Sequence, residues 1–99
     1  MSRVLSLVSF SIEACHKDEF LLRARELKAY WEGHGSERYE VYEEMGPTGP
    51  TGRLVELHVL KDREAYQQMT LHVRTANDLP AVAYRHVTQP QFQVMEWRL

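Results

Sequence analysis

The stretch Arg53 to Met69, RLVELHVLKDREAYQQM, limits the possible folds more than any other. Apolar residues alternate through its first half and recur at helical spacing through its second, so a strand feeds directly into a helix. Over Leu54 to Leu60 the strand has two unlike faces. Val55, Leu57 and Val59 are uniformly aliphatic, whereas Leu54, Glu56, His58 and Leu60 are mixed. The aliphatic face is expected to lie beneath the helix, leaving Glu56 and His58 pointing away from both helices. Asp62 sits where its carboxylate can accept a hydrogen bond from a first-turn backbone N–H, and Glu64 favours the positive end of the helix dipole. Tyr66, Met69, Val73 and Ala76 then form one apolar stripe. Asn77, Asp78 and Pro80 are expected to end the helix.

A second strand-to-helix unit opens the chain. Arg3 to Ile12 reads as a strand with apolar residues on both faces, which points to a central position in a sheet. From Lys17 to Trp31 the period changes, and Phe20, Ala24, Leu27 and Trp31 line one side of a helix, with Glu19 and Arg23 placed to pair on its solvent side. Gly33 and Gly35 stop it. Arg38 to Glu44 alternates but carries many charges, as an edge strand does. Met45 to Gly52, MGPTGPTG, reads as a stiff loop joining two strands. In Leu79 to Gln91 only a short helical turn over Pro80 to Tyr84 is legible, and Phe92 to Leu99 is a final strand.

The order strand, helix, strand, strand, helix, strand is the ferredoxin-like βαββαβ plan of an α+β protein, with a four-stranded antiparallel sheet. Right-handed crossovers put the first and third strands in the centre. At 99 residues the chain is expected to form a single domain, residues 1–99. Both helices cover one face. An apolar row of Val8, Phe10, Leu54, Phe92 and Val94 on the other would exceed what a monomer exposes, so a second copy is expected there as a homodimer.

Charge excludes some partners. Twelve Lys and Arg stand against 14 Asp and Glu, without the basic excess of a nucleic-acid-binding protein. A single cysteine, Cys15, allows no internal disulfide and suits a reducing compartment. No apolar run is long enough for a membrane span, and Met1 to Ile12 is too polar for a signal peptide, so the expected location is cytoplasmic.

With this order established, the chain resembles the dimeric α+β barrel superfamily, which includes antibiotic-biosynthesis-type and haem-degrading monooxygenases, NIPSNAP-like proteins and several isomerases. KDEF at 17 to 20 and VELHVLKDREAY at 55 to 66 carry the resemblance. It implies two sheets closing face to face into a barrel, with a pocket in each subunit between its sheet and its helices or loops. Many monooxygenase-like members carry His or Trp where Met69 aligns. Met69 can pack or touch a ligand, but it cannot transfer a proton.

Five histidines, His16, His34, His58, His72 and His86, show no paired spacing of the kind a metal site uses, so no metal is expected. Glu56 and His58 share a strand face, where a carboxylate can orient an imidazole for general-base work on an acidic C–H or O–H of a small aromatic or carbonyl compound. The alternative is that both serve the dimer seam and pair with Glu96 or Arg98. His72, Met69, Tyr84 and Arg85 are the candidate substrate-binding residues, with Arg85 suited to an anionic group. No nucleotide-binding or nucleophile motif appears, and no cofactor is expected. The expected function is that of a cofactor-independent, monooxygenase-like barrel protein acting on a small apolar or aromatic molecule. The alternative is a non-catalytic ligand-binding or protein-interaction module.

Overall fold

The computed structural model describes residues 2–75 and 79–99, without the side chains of residues 73–75. Val73, Ala76, Asn77 and Asp78, invoked above for the stripe and end of the second helix, therefore lie outside the described side chains or residues. The elements run β1 (Val4–Ser11), α1 (Ala14–Glu32), β2 (Ser36–Gly46), β3 (Gly49–Leu60), α2 (Arg63–Thr75), α3 (Leu79–Ala83) and β4 (Thr88–Glu96). All strand pairs are antiparallel and the order is β2-β3-β1-β4, so β1 and β3 are central. This is the ferredoxin-like arrangement expected from the element order, with the short α3 added.

Helix α1 buries Phe20, Ala24, Leu27 and Trp31, the four residues its periodicity selects. Phe20 meets Phe10 of β1 edge to face, with ring centroids 5.2 Å apart. Around them lie Val4, Leu54, Leu60 and Met69. Asp62 caps α2 as expected: its Oδ1 accepts from the Ala65 backbone N–H at 2.9 Å. Glu19 and Arg23 do not pair with each other. Glu19 accepts instead from Arg85 at 3.2 Å and Arg23 donates to Glu26 at 3.1 Å, because the next turn and the approaching chain offer nearer partners.

Two further sequence expectations are corrected. Met45 to Gly52 is not a loop: Met45 pairs with Pro50 and Gly46 with Gly49, so the strands run almost to the tip and only Pro47 and Thr48 turn. Gly49, at φ 126°, supplies the backbone conformation that lets the chain reverse there. The second correction is which face of β3 the helices cover. Leu54, Glu56, His58 and Leu60 are buried, whereas Val55, Leu57 and Val59 are half-buried on the opposite face. In the register with β1, Val4, Ser6, Val8 and Phe10 stand opposite Leu60, His58, Glu56 and Leu54. Residues directly opposite in an antiparallel pair share a face, so Val8, Phe10 and Leu54 belong to the helix-covered side. Phe92 and Val94, paired with Val8 and Ser6, belong to that side too. The open face consists instead of Leu5, Leu7, Val55, Leu57 and Val59, with Tyr42 and Met95 at its margins. One end of it is polar, where Arg53 donates to Ser11 Oγ at 2.9 Å, Ser9 Oγ at 3.2 Å and the Gln89 carbonyl at 3.2 Å.

Candidate functional site

The helix-covered face of the central strands holds a chain of polar groups where a hydrocarbon core would otherwise continue. Glu56, from the middle of β3, is 3% exposed. Tyr39 of β2 sits beside it and is likewise buried, and its hydroxyl donates a short hydrogen bond to Glu56 Oε2. Tyr84, just after α3, donates to the same oxygen at 2.7 Å. The Tyr84 oxygen in turn accepts from Trp31 Nε1–H of α1 at 3.0 Å. Side chains from β2, β3, α1 and the segment after α3 are thus joined in one hydrogen-bonded chain, with two hydroxyls on the carboxyl group itself.

Such convergence has an electrostatic consequence. Burial penalises the carboxylate and pushes Glu56 up to about 7, and the two phenols, which favour the charged form, only partly oppose that rise. Both phenols are pushed well above the usual tyrosine range, first by their own burial and then by the neighbouring carboxylate, so they remain donors. Glu56 is therefore poised to exchange a proton near neutral pH, whereas Tyr39 and Tyr84 are not.

His58 lies one residue pair further along β3, on the same face. Its Nδ1 lies 3.0 Å from Ser36 Oγ, which donates to the Arg38 carbonyl at 2.9 Å. That leaves Nδ1 to carry the proton of the pair, so the serine accepts from the imidazole. The ring packs edge-on against Trp31, centroids 5.6 Å apart, and tilted against Tyr39 at 5.0 Å. Burial lowers His58 to about 4, so the imidazole is neutral. Among the described contacts its partner is Ser36 rather than Glu56, and the envisaged carboxylate–imidazole pair gives way to two adjacent but separately anchored groups.

The remaining candidates divide. Tyr84 belongs to the Glu56 cluster. Met69 is 7% exposed and packs in the core under α2. His72 lies on the flank between α1 and α2, hydrogen-bonded to the Tyr30 hydroxyl and stacked on His34 with centroids 4.2 Å apart. Arg85 is on the surface with Glu19, not over the carboxyl group. Glu96 and Arg98 do not meet Glu56 or His58: Glu96 accepts from Arg63 at 2.5 Å and lies 3.6 Å from Arg98. Tyr39, Trp31 and Ser36 were not singled out as site residues by sequence. For Tyr39 a signal existed, since its place in the alternation of β2 sets it on the same face as a β3 residue once the hairpin register is known.

Two clefts open nearby. One, of about 720 Å³, runs past Ser36, Asp62, Ala65 and Gln68; the other, of about 340 Å³, lies between α2 and the end of β4, past Tyr66, Val94 and Arg98. Neither is lined by Glu56. The first reaches Ser36, the partner of His58.

No protein-family model and no curated protein matches the chain. Solved structures do. A conserved protein from Methanosarcina mazei Go1 is 17% identical, with 99% of this chain and 95% of that one covered and a TM-score of 0.77. SnoaB, a cofactor-independent oxygenase from Streptomyces nogalater, is 16% identical over 100% of this chain and 96% of its own, with a TM-score of 0.74. A dimeric ferredoxin-like protein from an uncultured marine organism is 12% identical over 100% and 90%, with a TM-score of 0.72. At such identities the likeness is one of fold alone; another structure that shares it, 17% identical over 97% of each chain with a TM-score of 0.66, is described as an antibiotic biosynthesis monooxygenase.

Proposed function

We propose that the protein is a cofactor-independent, monooxygenase-like enzyme that takes a small apolar or aromatic molecule, with Glu56 as its general base. The observation that carries this reading is the buried carboxyl group pushed up to about 7 between two fixed phenols. A base with that affinity for protons is half-charged at neutral pH and can accept a proton from a phenolic O–H or an activated C–H. Tyr39 and Tyr84 both hold Oε2, so Oε1 is the oxygen that receives the proton. The anion left behind is electron-rich and is oxidised by dioxygen from solution: one oxygen atom enters the substrate as a carbonyl, the other leaves as water with the two hydrogens lost, and the substrate supplies all four electrons. SnoaB, of the same fold, is described as an oxygenase that works without a cofactor.

The active form in this proposal is a homodimer closed through the aliphatic sheet face. Leu5, Leu7, Val55, Leu57 and Val59 form a row that a second copy would cover. Glu56 and His58 lie on the other side of the sheet, so each subunit keeps its own site.

A specific observation favours a second reading, a non-catalytic ligand-binding or interaction module. Among the described residues every buried side-chain polar atom has a hydrogen-bond partner, as a purely structural network requires. Oxygen uptake separates the two. Phenols, hydroquinones and 1,3-dicarbonyl compounds are incubated with the wild type and with Glu56→Gln. Uptake by the wild type, reduced at least about 100-fold in the variant, is the expected result for a general base. No uptake with any of these classes, or equal uptake by both proteins, would favour the module.

A further inference from the structure

We infer that His16, Glu19 and His86 form a binding site for a divalent transition-metal ion, separate from the Glu56 cluster. His16 and Glu19 stand one turn apart near the start of α1, and His86 lies in the connection between α3 and β4. The two imidazole rings lie face to face, centroids 3.5 Å apart and planes within 2° of parallel. One donor atom from each of the three side chains falls within 4.8 Å of the other two. A tetrahedral ion with ligand bonds of about 2.0–2.1 Å holds its donors about 3.3 Å apart. Imidazole lone pairs lie in the ring plane, so the stacked rings must turn out of parallel for both to meet at one ion, and all three side chains have room to move because none is fully buried.

The backbone already holds the pieces in register. The Val87 N–H donates to the Tyr84 carbonyl at 3.0 Å, and Thr88 pairs with Ser11, which keeps His86 beside α1. Arg85 donates to Glu19 Oε1 at 3.2 Å, so the carboxylate is oriented while its second oxygen remains for a ligand. Two imidazoles and one carboxylate are a donor set for zinc, nickel or copper. Calcium and magnesium prefer all-oxygen sites. Glu13 and Cys15 gather around the same His16, but that alternative set has only one imidazole and its other two members are exposed. The expectation of no metal rested on the absence of paired spacing, and residues this far apart in sequence leave no such trace.

Isothermal titration of the chelator-treated, dialysed protein with zinc chloride at neutral pH tests the inference, with His16→Gln, His86→Gln and Cys15→Ala measured alongside. Far-UV circular dichroism confirms that each variant is folded. One equivalent per chain is expected to bind with a Kd tighter than about 100 μM, weakened at least about tenfold by either histidine substitution and unaltered by Cys15→Ala. Magnesium in excess should not displace it. Weaker binding by the wild type, binding indifferent to His86→Gln, or binding lost in Cys15→Ala would each overturn the site.

Discussion

At the scale of single residues, Glu56 and His58 impose opposite pH dependences on stability. The carboxyl group keeps its proton to about 7 when folded but only to its ordinary 4.5 when unfolded. Between those values the folded state binds more protons, so this contribution is present below 4.5 and lost as pH rises to about 7, on the order of 3 kcal/mol in all. His58 behaves the other way. Its folded value of about 4 lies below the ordinary 6.5, so the unfolded state binds more protons and stability rises with pH across that window. The two slopes cancel where they overlap. Denaturant titrations of the wild type should be nearly flat between about pH 4.5 and 6.5 from this pair, whereas Glu56→Gln should rise by up to about 1.4 kcal/mol per pH unit. Parallel profiles would contradict the assignment. Tyr84→Phe removes a donor to Glu56 and leaves Trp31 Nε1–H without its acceptor, so a loss of about 1–3 kcal/mol is expected in the same titration. Sequence alone located Glu56, His58 and Tyr84 as chemically interesting. It could not pair them, because Tyr39 and Tyr84 reach Glu56 only through strand register and the placement of α3.

At the scale of elements, the helices were the legible part. Apolar spacing in α1 identified the residues it buries, and Asp62 was readable as a cap because a capping contact is made within one turn. Asp62→Ala is accordingly expected to lower stability by about 1 kcal/mol, with Asp62→Asn restoring most of it, as measured by chemical denaturation. Leu27→Ala, at a fully buried position of α1, should cost about 2–5 kcal/mol. The faces of β3 were not legible. Both carry apolar residues, and hydrophobicity alone assigned the helices to the cleaner row of Val55, Leu57 and Val59. The helices cover the mixed row instead, because its polar members find Tyr39, Tyr84 and Ser36 there, and a buried polar group with partners costs far less than one without. The Pro-Gly segment misled for a related reason. Its composition resembles a loop, yet Gly46 and Gly49 are close enough in sequence to pair across a tight turn.

At the scale of the whole molecule, the corrected β3 faces strengthen the case for self-association. The row left open by the helices is more aliphatic than the one originally expected there. Sedimentation should give a dimer, and Leu57→Glu, which places charge in the centre of that row, should shift it to monomer while leaving the helix-covered side folded. A wild type that stays monomeric at all concentrations would contradict the dimer. Proton chemistry at Glu56 depends on a site enclosed by sheet and helices within each subunit, so it should survive that dissociation. The most direct measurement is the titration of the Glu56 carboxyl carbon by carbon-13 NMR on the native protein, assigned by the signal lost in Glu56→Gln. A midpoint near 7 is the predicted result. A midpoint at the ordinary glutamate value would show a carboxylate already charged at neutral pH, and the account of Glu56 as a poised base would be wrong.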